Sequence, residues 1–163
     1  MIQSDDSSVL ASFEAVPPYT RVLSIDKEIG GAPKPSVDEI KKYAEAVNLL
    51  RTSLVTVSQS FTTGKTNVVE EMHKGNISVY VSVLRNEYIS VAFDYFSDPT
   101  IELATFISGS GVDGVITEFP ATATRYLSKF KPRQGHERTI DIQNKDKADH
   151  LYLMQMQRVH AQI

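Results

Sequence analysis

The fold is decided by the stretch Gly111-Val112-Asp113-Gly114-Val115-Ile116-Thr117-Glu118-Phe119-Pro120-Ala121. Its apolar centre predicts a short strand, and the glycines before it allow a tight turn out of a preceding helix. Pro120 favours the first turn of another helix, because the amide hydrogen that proline lacks would have no partner there. The stretch therefore predicts one strand-then-helix unit, with the polar pair Thr117-Glu118 at the carboxyl end of its strand.

Working outward, the same alternation of strand and helix repeats along the chain. The predicted strands are 1–3, 21–25, 54–58, 77–83 and 115–117. The predicted helices are 5–13, 36–47, 66–74, 98–107 and 120–129. Ser36 and Glu39 have the spacing of a capping box at the start of the second helix. Five such units with short connections predict parallel strands joined by right-handed crossovers.

Two parallel architectures fit this pattern. An open doubly wound sheet would make the chain a complete five-stranded domain, whereas a (β/α)8 barrel would make it the last five β/α units of that barrel. Periodicity does not separate them. In either case the domain is predicted to cover 1–130, and the polar texture of 131–163 predicts a poorly ordered tail with a marginal helix from about Lys147.

Composition excludes several classes of function. The 163 residues, 41% of them hydrophobic, suit one globular domain or part of one. A net charge of -3 gives no basic surface for nucleic acid, and the absence of cysteine excludes disulfides and thiolate metal sites. No apolar run approaches the roughly 20 residues of a membrane span, and no basic and apolar leader follows Met1. We therefore expect no nucleic-acid partner, no transmembrane segment, no signal peptide and no anchor.

The quoted stretch resembles the last barrel strand of glycerophosphodiester phosphodiesterases, which commonly reads G-V-D-G-I-I-T-D-x-P. Two further segments agree: Met1-Ile2-Gln3-Ser4 is similar to the fourth strand of that family, and 77–83 to the seventh, where the usual tryptophan is missing. From Leu54 to Phe106 the chain is most similar to the plant glycerophosphodiester phosphodiesterase-like branch. The resemblance implies a partial (β/α)8 barrel, made of about the last five units.

This resemblance also implies an activity and a location. Members hydrolyse a glycerophosphodiester to an alcohol and glycerol 3-phosphate with a divalent cation, calcium or magnesium, and the plant branch is secreted to the cell wall or the outer face of the plasma membrane. The family's His-Arg-Gly and Glu-x-Asp motifs do not occur in this sequence. We therefore assign no catalytic or metal-binding residue, and expect an inactive chain whose missing motifs belong on strands preceding Met1.

Polar residues that follow the predicted strands are the candidates for substrate contact, because function in β/α barrels gathers at the carboxyl ends of the strands. The substrate-binding candidates are Gln3, Lys27, Arg85 and Glu118. The other polar residues at these ends are Asp5, Asp26, Glu28 and Asn86. Lys27 or Arg85 can pair with a substrate phosphate, or equally form a surface salt bridge. Asp113 precedes its strand and is predicted to serve the turn at the opposite end.

Weaker motifs favour ordinary structure. Gly64-Lys65-Thr66 is similar to the end of a phosphate-binding loop, but Gln59 stands where that motif needs glycine, so a plain loop with a threonine cap is predicted. His73 is predicted on a helix surface near acidic neighbours. The remaining histidines, His136, His150 and His160, match no zinc spacing.

Two other functional hypotheses stay open. One is a non-catalytic, cell-wall-associated interaction domain, since the tryptophan of the seventh strand is absent. The other is a complete open α/β domain of unknown function. An incomplete barrel would in addition expose two strand edges, which predicts self-association through those edges.

Overall fold

The structure is a computed structural model that describes residues 1–16, 19–87 and 92–130. The predicted tail at 131–163, with its marginal helix and three of the histidines, lies outside these residues. The described part contains a five-stranded parallel sheet and a separate two-stranded hairpin. The strands are β1 (Ile2–Ser4), β2 (Arg21–Ile25), β3 (Ala46–Leu50), β4 (Val55–Ser58), β5 (Phe61–Lys65), β6 (Ser78–Leu84) and β7 (Gly114–Thr117).

An α-helix lies between each strand of the parallel sheet and the next, and the last strand is followed by another. The α-helices are α1 (Ser7–Ser12), α2 (Lys34–Ile40), α3 (Val68–Lys74), α4 (Pro99–Ala104) and α5 (Pro120–Phe130). Short 3-10 turns cover Arg51–Ser53 and Phe93–Tyr95, and a π-helical turn at Thr105–Ser110 extends α4. The Asp6 carboxylate caps α1 by accepting a hydrogen bond from the Ser8 amide at 2.8 Å, as a helix-capping aspartate does.

The order of strands in the parallel sheet is β1-β2-β3-β6-β7, which is also their order along the chain. An open doubly wound sheet requires a reversal of strand order at its centre, and none occurs among the described strands. Consecutive neighbours that are all parallel are the arrangement of a β/α barrel. The five strands form a half-barrel, so the predicted partial barrel is confirmed.

The third strand was predicted in the wrong place. Residues 54–58 do contain a strand, β4, but it pairs antiparallel with β5 outside the parallel sheet. The third strand of the arc is β3, and α2 ends at Ile40 rather than at 47. Ala46, Val47 and Leu49 are fully buried, and a strand buried on both faces has a continuous apolar run rather than an alternating pattern. Val47 therefore matched helical spacing by coincidence.

The predicted capping box is also wrong. The helix begins two residues earlier, at Lys34, after Pro33, and no side chain caps it. Glu39 instead accepts a hydrogen bond from the Lys42 ammonium at 2.5 Å on the exposed side of the helix. Two prolines, Pro33 and Pro35, start the helix in place of a serine cap.

The register divides the sheet into two faces. In-register residues of parallel strands share a face, which places Leu23, Val47, Val79 and Val115 together. The first three of these pack in one core with side chains of the surrounding helices, among them Val37, Met72 and Phe106, and Val115 packs against that core. This is the helix-covered, outer face of the arc. The opposite, inner face carries Val22, Ser24, Asn48 and Tyr80.

Candidate functional site at the strand-end rim

Parallel strands bring the residues that follow them to one edge of the sheet, here called the rim. Lys27 follows β2, Arg85 follows β6 and Glu118 follows β7, so the topology places all three on this rim. Gln3 lies within β1 and reaches the inner face. Three of the four predicted candidates thus lie at one end of the arc, where a contact joins Arg85 to Glu118, whereas Gln3 lies on the inner face.

Arg85 and Glu118 form the clearest contact of the rim. The Arg85 Nε donates to Glu118 Oε1 at 2.8 Å, and its second nitrogen lies 2.7 Å from the same oxygen. Both side chains are about half exposed, so the pair contributes little to stability. It does place a guanidinium, the group best suited to a phosphate, between the ends of two neighbouring strands.

Backbone and side-chain bonds hold these two strand ends in place. Thr117 Oγ1 donates to the Leu84 carbonyl at 2.8 Å and accepts from the Phe119 amide at 3.0 Å. Asn86 Nδ2 donates to Thr122 Oγ1 at 3.0 Å. The threonine of the Thr117-Glu118 pair is therefore structural, which leaves the glutamate as the member that faces solvent.

The inner face of the arc contains a polar row that the sequence did not predict. Ser24 Oγ accepts from Gln3 Nε2 at 2.9 Å and from Asn48 Nδ2 at 3.3 Å. Asn48 is buried, and its Oδ1 has no hydrogen-bond partner among the described residues. The one available signal was an asparagine within the apolar run 46–50, and the incorrect helix assignment hid it.

A buried ion pair lies beside the rim. Arg51, directly after β3, donates through Nη1 to Glu102 Oε1 at 2.8 Å, and Glu102 in α4 is only 1% exposed. Burial raises the pKa of the Glu102 carboxyl, against the opposing hydrogen bond and charge of Arg51. The other oxygen, Oε2, has no partner within the described part of the chain. The pair ties the segment after β3 to the helix after β6.

The weaker motifs prove structural. Gly64 and Lys65 belong to β5 rather than to a loop, and Lys65 Nζ donates to the Gly109 carbonyl at 2.6 Å. Thr66 Oγ1 donates to the Ser53 carbonyl at 2.7 Å instead of capping a helix. His73 is partly exposed as predicted, but its partner is Asp113, with 2.9 Å between Nε2 and Oδ2.

Asp113 has the structural role expected of it. Besides contacting His73, its Oδ2 accepts from the Val79 amide at 2.7 Å. Both contacts lie at the amino ends of β6 and β7, away from the rim. This confirms that Asp113 holds the turn before β7.

The described residues do not fit a divalent cation. Nowhere in the described ranges do three or more Asp, Glu or His side chains converge. The rim carboxylate Glu118 is paired with Arg85, and Asp113 lies at the other end of the strands. No helix within these ranges is long and apolar enough to cross a bilayer.

A half-barrel of consecutive β/α units with a polar rim defines the chain as part of a β/α-barrel protein. No family model matches it. Over 127 residues, 78% of its length, the chain is 99% identical to the glycerophosphodiester phosphodiesterase GDPDL7 of Arabidopsis thaliana. It is 88% identical to GDPDL6 over 127 residues, and 47% identical to GDPDL1 over 126 residues, 77% of its length, both from the same plant.

These similarities show that the chain belongs to the plant glycerophosphodiester phosphodiesterase-like family. The chain spans 17% of the length of GDPDL7 and of GDPDL6, and 16% of that of GDPDL1. Most of each relative thus has no counterpart in the matched stretch.

Proposed function

We propose that the chain is one arc of a glycerophosphodiester phosphodiesterase barrel, which hydrolyses a glycerophosphodiester to an alcohol and glycerol 3-phosphate. The observation that carries the proposal is the row of five parallel strands in chain order, in which no other described strand pairs with the outer edge of β1 or of β7. The arc contributes rim groups that orient the substrate. The proton-transferring and cation-binding groups come from polypeptide outside this chain.

In this proposal the rim candidates have distinct roles. The Arg85 guanidinium, held by Glu118, faces the phosphate and offers donors in a planar fork. Lys27 adds a second positive charge after β2, and Gln3 supplies amide hydrogen-bonding groups on the inner face. In this proposal Gln3, Lys27 and Arg85 bind the substrate and move no proton, so the described part of the rim orients the diester without hydrolysing it.

The purified chain is therefore expected to hydrolyse glycerophosphocholine no faster than a mock preparation, with calcium or magnesium added. Release of choline measures the rate. Hydrolysis above the mock rate that disappears with a chelator would place the reactive groups inside this chain and refute the proposal.

Self-association through the strand edges is the second part of the proposal. A twofold axis along the barrel axis keeps all strands parallel, so β1 of one copy can pair with β7 of another and the reverse. The Ile2 amide donates to the Thr20 carbonyl at 2.9 Å, towards β2. Because successive residues of a strand face alternate neighbours, the backbone groups of Gln3 point to the open edge.

Gln3→Pro should weaken self-association by about tenfold, the equivalent of ~1.4 kcal/mol, because proline removes the outward amide without touching the β1–β2 ladder. Gln3→Ala is the matched control, since it loses the bond to Ser24 but keeps the amide. Sedimentation over a range of concentrations measures both. Equal association constants for the two variants would mean that the β1 edge takes no part.

A further inference from the structure

Three exposed phenylalanine rings, those of Phe61, Phe93 and Phe96, lie in two neighbouring segments on the rim side, and we call these three residues the aromatic lip. Their exposed fractions are 39%, 45% and 59%. Phe61 begins β5 in the segment after β3, and the other two lie in the segment after β6. Because β3 and β6 are neighbours, both segments leave adjacent strand ends on the rim side of the arc.

Two hydrogen bonds and one contact between rings join the two segments. The Thr62 amide donates to Asp94 Oδ2 at 3.2 Å, and the Phe93 amide donates to the Ser60 carbonyl at 2.9 Å. The rings of Phe61 and Phe93 meet edge to face, with centroids 5.7 Å apart and planes at 67°. The two segments that carry the lip are therefore held to each other, which reduces the entropy lost when the lip binds a ligand.

Phe96 occupies an unfavourable backbone conformation. Its φ is 53° and its ψ is 33°, and Ser97 after it has a φ of 57°. Bulky residues rarely adopt this left-handed region, and residues held there occur preferentially at functional sites. A ring that is 59% exposed adds little to the core, so stability does not account for a phenylalanine at this position.

The rim side of the arc thus combines two chemistries. Arg85 and Glu118 give it a charged end, and the lip gives it an apolar one. We propose that the aromatic lip binds the hydrocarbon chain of a single-chain amphiphilic phosphodiester. This rests on the proposed function, and it makes diesters of long-chain alcohols or acylated glycerols the substrate class.

A single introduced fluorophore tests the lip directly, because the chain contains no tryptophan. In Phe96→Trp, dodecylphosphocholine below its critical micelle concentration should shift the emission to the blue in a saturable way, as the indole leaves water. Tyr19→Trp is the matched control, since Tyr19 is 52% exposed and lies just before β2, at the opposite end of the strands. No shift in Phe96→Trp, or equal shifts in Phe96→Trp and Tyr19→Trp, would overturn the proposal.

A second variant separates binding from folding. Asparagine tolerates positive φ, so Phe96→Asn should unfold at the same or a higher urea concentration than the parent chain. Calorimetric titration should show about tenfold weaker binding of dodecylphosphocholine, because a large apolar contact is lost. Unchanged affinity would contradict the proposal, as would binding to diacylphosphatidylcholine vesicles without binding of the monomer.

These measurements need no catalysis, so the two proposals fail separately. Binding of the amphiphile by a chain that never supports hydrolysis would refute the proposed function alone. Hydrolysis by a completed barrel without amphiphile binding would refute the role of the lip alone.

Discussion

Replacing Glu102 by alanine is expected to lower the free energy of unfolding by about 3 kcal/mol, measured by urea titration. The carboxylate is 1% exposed and accepts from Arg51 at 2.8 Å, so the change removes a buried ionic hydrogen bond and leaves a void in the core. Arg51 itself is partly exposed, which favours the lower end of the range for broken buried pairs. The connection between the β3 and β6 segments would be lost with it.

Two controls define this result. Glu102→Gln keeps the volume and an oxygen acceptor for Arg51, so it should cost about 1 kcal/mol or less. Glu39→Ala removes an ion pair with Lys42 in which both side chains are exposed, so its effect should stay within about 0.5 kcal/mol. If Glu102→Ala cost no more than Glu39→Ala, the buried pair would have no structural importance.

Glu102 should also make the free energy of unfolding depend on pH. Because burial raises the pKa of Glu102 in the folded state above its ordinary value of 4.5, the folded chain holds that proton more tightly than the unfolded chain. The stabilisation from this group is therefore fully present below the ordinary pKa and is lost as pH rises through the folded pKa. The stability of the parent chain relative to Glu102→Gln should therefore fall as the pH rises from below this ordinary value and through the raised pKa of the folded state. A relative stability that rises over this range would mean that Arg51 outweighs burial.

The sequence predicted those helices and strands whose ends are marked by turn residues or prolines. β2 was predicted with its observed bounds, and β6, β7 and α5 to within one residue, because each has a clear apolar run between turn or proline signals. β3 was missed because burial on both faces removes the alternation that marks a strand. The segment 46–50 is a strand because the fold buries both of its faces, and not because its residues prefer that conformation.

The sequence predicted only part of the candidate site, for the same reason. Residues at the strand ends were predicted because they follow the strands directly, as Arg85 and Glu118 do. The Arg51–Glu102 pair joins residues 51 apart in sequence, and the polar row of Gln3, Ser24 and Asn48 crosses three strands. Both depend on the register between strands, which the sequence pattern does not contain. The same is true of the lip, which two separate segments build.

Completing the barrel should have the largest effect of all. The described residues provide five strands and a rim without a cation site. Under the proposed function, the missing groups would come from a polypeptide that carries the remaining three β/α units, with the His-Arg-Gly and Glu-x-Asp motifs. Parallel pairing at β1 and β7 would close the ring and bring Arg85 opposite the added groups. Arg85→Ala should then reduce the restored hydrolysis. Lys42→Ala should not, because Lys42 lies in the connection between α2 and β3, away from the rim.

The most direct test purifies the two polypeptides separately, mixes them, and measures both complex formation by sedimentation and hydrolysis of glycerophosphocholine. The result expected is a one-to-one complex that hydrolyses the diester at least about a thousandfold faster than either part. A chain that forms no complex, or a complex no more active than its parts, would contradict the view that this half-barrel is one arc of a catalytic ring.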